Sequence, residues 1–318
     1  MDLVDKKIVS ALDKDSRISI VQIAKQARTN PETARFRLAR LFSSGKIKYS
    51  VAIINAALLG YSRYELLLKL QNINEDKKKE IVDFLKSDKN VGWIGLFDSS
   101  YDMGIILLVK NQLELASAIE SIDKNYNKYI MKRTLAITLR GDFFPRDYLI
   151  GKDRTMTKES SYDVSVKTAD LDPDDDRICK LLAIDSRISA LEISRKVKCS
   201  VDKVISRMKR LRKDNIISEY ALVLDNEKID QLHYKILIYL NNKSEDEIRK
   251  MLSFVKSNNR VIAIIKTLAE WDYEIDLEIE NVKQLQDFTM QLTKNFSGII
   301  RDYLTIRVIE MPKYNFYP

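Results

Sequence analysis

The sequence predicts an α+β chain: two winged helix-turn-helix domains and two ferredoxin-like βαββαβ domains, arranged in tandem. Three features carry that expectation. The chain repeats itself once, each copy opens on short capped helices ending in a basic third helix, and each copy closes on strands and helices in βαββαβ order.

The repeat comes first because it sets the architecture. Asp15-Ser16-Arg17-Ile18-Ser19 recurs unchanged as Asp185-Ser186-Arg187-Ile188-Ser189, an offset of 170 residues. The same offset pairs Asp5 with Asp175, Ile8 with Ile178, Leu12 with Leu182, Arg37 with Arg207, Leu41 with Leu211 and Asp102 with Asp272. The register holds without a gap over residues 1–148 and 171–318. Helix-turn-helix domains are therefore expected at 1–54 and 171–224, and ferredoxin-like domains at 60–148 and 230–318. Residues 149–170 are polar, lack apolar periodicity and read as a linker with a short strand at Tyr162–Val166. Roughly twenty residues reach ~65 Å extended, or ~25 Å as a flexible coil, enough for the copies to pack together.

Each copy begins with a helix whose cap is visible. Asp2 caps the first; Asp172 caps its counterpart, with Pro173 at the first helical position and acids in the first turn, where the helix dipole favours them. The second helix opens on a capping box, Ser19 with Gln22 and Ser189 with Glu192, bracketed by Ile18/Ile23 and Ile188/Ile193 as hydrophobic staples. The third opens at Asn30-Pro31-Glu32 in copy one and at Ser200 in copy two. Ala34, Leu38 and Leu41, like Val204, Met208 and Leu211, form its apolar stripe. Gly45 and Asn215 suit a left-handed C-cap. The alternating segments Ile47–Ile54 and Ile217–Leu224 then read as the wing.

A short exposed third helix with a basic outer face fits the major groove of duplex DNA, where base edges carry a distinct donor and acceptor pattern. Asn30, Thr33, Arg35 and Phe36 are the base-edge candidates of copy one, with Arg37, Arg40, Lys46 and Lys48 on the phosphates. In copy two Ser200, Lys203, Ile205 and Ser206 face outward, flanked by Lys209 and Arg210. The reading surfaces differ, so unequal half-site preferences are expected. Arg37 and Arg207 lie beside the apolar stripe, and a role tying helices together stays open for them.

These residues resemble the leucine-responsive/asparagine-regulator (Lrp/AsnC) family of transcription regulators. The family pattern Leu-Asp-x-x-Asp-x-x-Ile, Asp-x-Arg-x-Ser, a capped recognition helix and Arg-x-x-x-Leu-x-x-x-Gly-x-Ile is met by Asp2, Asp5, Ile8, Arg17, Ser19, Arg37, Leu41, Gly45 and Ile47. Copy two meets it with Leu171, Asp172, Asp175, Ile178, Arg187, Ser189, Ser200, Arg207, Leu211 and Ile217, but has Asn215 in place of the glycine.

The second half of each copy reads as strand Tyr64–Leu70, helix 75–87, strands Val91–Phe97 and Met103–Val109, helix 112–124 and strand Tyr129–Arg140, repeated from Tyr234 to Met311. The resemblance implies that these are RAM-type modules for dimerisation and for a small-molecule effector, an amino acid, bound near a Gly-x-Tyr-Asp loop. Here the loops are Ser99-Ser100-Tyr101-Asp102 and Ala269-Glu270-Trp271-Asp272, without the glycine that gives a ligand closest approach to backbone. The family dimerises through these modules, so a tandem chain is expected to form an intramolecular pseudo-dimer, with further homo-oligomers open.

Composition narrows the remaining classes. Of 318 residues, 45% are hydrophobic and 31% charged, a globular balance, and the net charge of +8 suits a polyanionic partner. No apolar run approaches the length of a membrane span, and Met1-Asp2-Leu3-Val4-Asp5 is no signal peptide, so a cytoplasmic, nucleoid-associated protein is expected. Cys179 and Cys199 lack metal spacing and read as packing residues; the lone His233 leaves no histidine metal cluster. No metal, cofactor or catalytic residue is expected. Two alternatives are an architectural DNA-compacting protein of the same fold and a sirohaem decarboxylase-like enzyme. The latter is disfavoured because those fused, regulator-like subunits use a His-rich segment in the second half.

Overall fold

The computed structural model describes residues 1–154, 160–241 and 244–317. Copy one runs α1 (Leu3–Lys14), α2 (Ile20–Ala27), α3 (Pro31–Ser43), β1 (Ile47–Ile54), β2 (Ser62–Leu70), α4 (Glu75–Ser87), β3 (Val91–Asp98), β4 (Met103–Val109), α5 (Gln112–Tyr126) and β5 (Ile130–Phe143). After β6 (Ser160–Asp163), copy two repeats the order as α6 (Pro173–Ile184), α7 (Ala190–Val197), α8 (Val201–Lys213), β7 (Ile217–Leu224), β8 (Leu232–Leu240), α9 (Glu245–Ser257), β9 (Val261–Leu268), β10 (Tyr273–Ile279), α10 (Val282–Asn295) and β11 (Ile300–Tyr314).

Each wing strand finds its partner in the other copy. β1 and β7 pair antiparallel, with Val51 opposite its own repeat equivalent Ala221, so an approximate two-fold axis passes between them. Alternation along these strands serves two layers at once. Ala52 and Ile54 of β1 complete the core of the second helix-turn-helix unit, and Leu222 and Leu224 of β7 complete that of the first. Val51, Ile53 and Val223 face the other way, onto the ferredoxin-like modules.

The Asp-Ser-Arg-Ile-Ser repeat lies on the same axis. Ser16 Oγ and Ser186 Oγ are 2.6 Å apart, both side chains fully buried. The backbone N–H of Ser16 donates to the Tyr220 carbonyl and that of Ser186 to the Ser50 carbonyl, both at 2.9 Å. The Arg17 guanidinium donates to the Ser186 and Ile188 carbonyls, and that of Arg187 returns the contact to Ser16 and Ile18.

The modules share one sheet. Among the described residues the strand order is β2-β4-β3-β11-β8-β10-β9-β5, and β5 pairs back onto β2, which closes a barrel; β6 adds to β5. The long last strand of each module makes this possible. β5 pairs with β2 over its first half and with β9 over its second, and β11 does the same with β8 and β3. Closure removes edges that would otherwise expose unpaired backbone groups. Helices α4 and α5 cover one outer face over Leu66, Leu68 and Ile105, and α9 and α10 cover the other over Ile236, Ile238 and Ile275. Inside, Gly95 and Gly104 stand opposite each other. A Cβ on Gly95 would lie 2.2 Å from the Trp93 ring, and one on Gly104 2.6 Å from Phe97, so the missing side chains make room for those two rings.

The linker region differs in detail from its reading. Tyr148 and Leu149 pack into the first helix-turn-helix core through a short 3-10 turn, Asp147–Ile150. The inter-copy strand lies at Ser160–Asp163, earlier than Tyr162–Val166. Part of the segment read as linker, 155–159, falls outside the described residues.

The two-fold contact makes a specific energetic prediction. Ser16→Ala alone leaves the Ser186 hydroxyl buried without its partner, at a cost of about 1–3 kcal/mol. The double variant Ser16→Ala/Ser186→Ala removes both groups. Urea denaturation of the four proteins should show the double variant losing less stability than the two single losses added together.

Candidate nucleic-acid interface

Both helix-turn-helix units are built by the caps read from sequence. Ser19 and Ser189 form complete capping boxes with Gln22 and Glu192. The turn that follows places Arg28 and Lys198 at φ 55° and 61°, a left-handed geometry for which neither residue type gives a sequence signal. Asn30 Oδ1 accepts the Thr33 N–H at 2.7 Å and Ser200 Oγ accepts the Lys203 N–H at 3.3 Å, so α3 and α8 begin where expected. Gly45 and Asn215 are left-handed after their ends.

On α3, Ala34, Leu38 and Leu41 are buried, while Asn30, Arg35, Phe36 and Arg40 are exposed; Phe36 presents 68% of its surface, unusual for an aromatic side chain. Thr33 is half-buried. On α8, Ser200, Lys203, Ile205, Ser206, Lys209 and Arg210 are exposed. Neither Arg35 nor Lys209 makes a side-chain hydrogen bond or ion pair among the described residues.

The remaining basic residues are partly occupied. Arg37 Nη1 lies 2.5 Å from Asp2 and 2.9 Å from the buried Asp5, and Arg40 shares Asp5 at 3.1 Å. Copy two repeats the arrangement: Arg207 pairs with Asp172 and, at 2.8 Å, with buried Asp175, which Arg210 also contacts. The role left open for Arg37 and Arg207 is thus a tie from the third helix to the N-terminus of the first. Arg40 and Arg210 split their charge between that tie and the surface. Lys203 lies 3.4 Å from Asp174. Lys46 donates to the Lys228 carbonyl at 2.8 Å and Lys48 lies 3.5 Å from Glu310, so both lean toward the second copy.

In the loops expected to meet an effector, the aromatic and Asp residues are committed to packing and to strand ends. Tyr101 is buried in the barrel, its hydroxyl 3.0 Å from that of Thr134. Asp102 accepts from the Leu70 N–H at 2.7 Å and from Lys69 at 3.1 Å, while the Ser99 carbonyl takes a second bond from Lys69. Trp271 is buried and donates to Glu274 at 2.9 Å, and Asp272 accepts the Leu240 N–H at 2.9 Å. Ser100 and Glu270 are exposed and Ala269 is half-buried. His233 is buried 3.0 Å from Asp276, and burial pushes the Cys179 thiol up to about 12, in keeping with packing.

A polar interior was missed. Inward positions of β2, β8 and β10 carry Arg63 and Glu65, His233 and Lys235, and Glu274, Asp276 and Glu278, all buried. Arg63, Glu65, His233, Lys235 and Asp276 border a cavity of about 290 Å³ between the barrel and β7. Its signal was available: charged residues at every second position of strands that otherwise read as apolar.

Comparison with known proteins agrees with this architecture. The AsnC-type helix-turn-helix domain model matches residues 1–41 and 171–212. The HTH-type transcriptional regulator FL11 of Pyrococcus furiosus is 26% identical over 138 residues, 42% of this chain and 90% of that protein. An uncharacterised HTH-type transcriptional regulator of Pyrococcus abyssi is 31% identical over 124 residues, 38% of this chain and 82% of that protein. The crystal structure of the siroheme decarboxylase NirDL aligns with 98% of this chain and 93% of its own, at TM-score 0.62 and 11% identity, a likeness of fold alone. These features define a tandem helix-turn-helix protein on a closed barrel. The chain belongs to the Lrp/AsnC family of transcription regulators.

The ties have a pH signature. Hydrogen bonds from Arg37 and Arg207 hold Asp2 and Asp172 down to about 2. In the unfolded chain these carboxyls take protons near the usual ~4. The ties therefore stabilise fully above that value, and the contribution is lost as pH falls from ~4 to ~2. In Arg37→Ala/Arg207→Ala, urea midpoints should drop at pH 6, and the additional loss between pH 4 and 2 should be shallower than in the parent protein.

Proposed function

We propose that the chain is a DNA-binding transcription regulator that sets residues 30–43 and 200–213 into the major groove at two unequal half-sites. The observation that carries this reading is the pair of capped third helices. Each is anchored from behind by its own Arg–Asp tie, and each leaves an outer face of uncommitted polar, basic and apolar side chains. Helix N-termini favour phosphate oxygens. Arg35 suits guanine and Asn30 adenine, and Phe36 suits a thymine methyl. In copy two Ser200, Lys203, Ile205 and Ser206 occupy the base edges, with Lys209 and Arg210 on the backbone. Arg37 positions the helix, while Arg40, Lys46 and Lys48 reach phosphates only by sharing or exchanging their present partners.

The two readers are joined covalently and by an approximate two-fold, the symmetry of a palindromic operator. The chain supplies its own dimer. We place it in the cytoplasm on the nucleoid, and read it as non-enzymatic. No described helix is long and apolar enough to cross a membrane.

Fluorescence anisotropy at matched salt tests the reading. Natural upstream DNA should bind at least tenfold more tightly than scrambled DNA, with log K falling linearly against log salt. Arg35→Ala should weaken natural sites by about tenfold and narrow their advantage over scrambled ones. Equal affinity for natural and scrambled duplexes would instead point to an architectural, DNA-compacting protein.

A further inference from the structure

The cavity between barrel and β7 contains one cation with no hydrogen-bonded or ion-paired partner for its guanidinium among the described residues. Arg63 is 5% exposed. Its guanidinium lies between two aromatic faces, 4.9 Å from the Tyr162 ring centroid and 4.4 Å from that of Phe316. Yet it makes no hydrogen bond or ion pair among the described residues, and Nε is a buried donor without an acceptor. With both faces covered by rings, its donors are left in the guanidinium plane, where a carboxylate binds.

Every other cation at this cavity is already matched. Arg146 pairs with Asp13 at 2.5 Å and Glu278 at 2.7 Å. Lys235 pairs with Glu274 at 2.5 Å, with Glu65 and Asp276 further out. Lys14 lies 3.3 Å from Asp147. An unpaired in-plane guanidinium fork suits a single carboxylate, and the carboxylates that also line the cavity, Asp13, Glu65 and Asp276, disfavour a phosphate dianion. Besides its paired charges the lining carries apolar and aromatic side chains, among them Trp93, Ile106, Phe143 and Ile265, which a hydrocarbon body would meet. The volume, about 290 Å³, is at the small end of ligand pockets.

We propose that this cavity binds a small monocarboxylate with an apolar body, its carboxylate paired edge-on with Arg63. Burial pushes the Arg63 guanidinium below its ordinary range, against smaller opposing pulls from Tyr162, Tyr314, Glu65 and Glu274. On the β7 wall, burial lifts Glu219 to about 7, so near neutrality this carboxyl carries a proton part of the time and offers a donor rather than a competing charge. An occupant touches both the barrel and β7, the strand that completes the first helix-turn-helix core.

Thermal melting of the full chain tests this with butyrate, isovalerate and phenylacetate as probes. Phenylacetamide serves as a neutral isostere and phosphate as a dianion. At roughly a hundredfold excess over Kd, at least one monocarboxylate should raise Tm by about 4 °C. The amide and phosphate should leave it unchanged. Arg63→Met removes a buried unpaired charge, so its ligand-free Tm should equal or exceed that of the parent, and its response should vanish. Arg63→Lys keeps the charge without the paired donors and should respond at least tenfold more weakly. The proposal is overturned if none of the three acids acts selectively or if either variant responds as the parent does. It is equally overturned if Arg63→Met is destabilised or fails to fold, which would make the arginine a purely structural stack. No readout involves DNA, so the outcome is separate from whether the third helices enter a groove.

Discussion

The reciprocal contact at the two-fold axis fixes where everything else in the molecule can be. Two helix-turn-helix units that read one duplex must be held at a set separation and angle, and a flexible linker cannot do that. Here the setting comes from a buried pair of equivalent hydroxyls, Ser16 and Ser186, flanked by arginines that each cap carbonyls across the axis. An interface between two like surfaces is self-complementary: each residue on the axis meets its own counterpart. A change in one copy alone would leave a donor or acceptor unmatched in the other. That is a physical reason for Asp-Ser-Arg-Ile-Ser to stand unchanged in both copies while the third helices have diverged.

The barrel below obeys the symmetry in its backbone and departs from it inside. The seams β5–β9 and β3–β11 use equivalent registers: Ile137 opposes Leu268 as Arg307 opposes Asp98. The inward side chains are another matter. Where β10 carries Glu274, Asp276 and Glu278, the equivalent positions of β4 are Gly104, Ile106 and Leu108. The second module therefore supplies most of the buried carboxylates, the first adding Glu65, and both supply cations: Arg63 and Arg146 from the first, Lys235 from the second. Charges taken out of water are tolerated when paired and hydrogen-bonded; Arg146 with Asp13 and Glu278, and Lys235 with Glu274, meet that condition, while burial pushes the less well bonded Glu65 carboxyl up toward its neutral form. A chain in which both halves are encoded separately can make such a pair across the axis, which a homodimer of identical halves cannot do without repeating each charge.

Most of the fold was legible because local devices agreed with one another. Capping boxes at Ser19 and Ser189, the Asn30-Pro31 start and the left-handed stops at Gly45 and Asn215 each depend on near neighbours in sequence, and the repeat supplied every one twice. What escaped was long-range. Nothing local says that β1 pairs with β7 instead of folding back as a wing, because either partner satisfies the same alternation. Closure of the barrel was hidden for the same reason, since strand length alone does not name the partner. At the candidate interface, the basic face of α3 was legible but its availability was not. Whether Arg40 is free depends on Asp5, thirty-five residues earlier, and on the packing that brings the two together. The aromatic-Asp loops were read through the resemblance as ligand contacts, yet Tyr101 and Trp271 fill the barrel and Asp102 and Asp272 hold strand ends.

These ties change what kind of recognition the third helices can perform. Counted from sequence, α3 and α8 carry a dense positive surface, which would favour binding any duplex by its phosphates. In the folded chain the cap acids of the first helices neutralise much of that charge from behind. They draw Arg37 and Arg207 inward and take a share of Arg40 and Arg210. What remains at the outer face is a small set of exposed side chains, the proposed readers Arg35 and Phe36 in one copy and Lys203, Ile205 and Ser206 in the other. A surface with fewer free cations and more shape gives less sequence-independent affinity and leaves a larger share of the binding energy to base edges. If the third helices enter the groove as proposed, the same Arg–Asp contacts that hold each helix would favour selecting sequences over coating DNA.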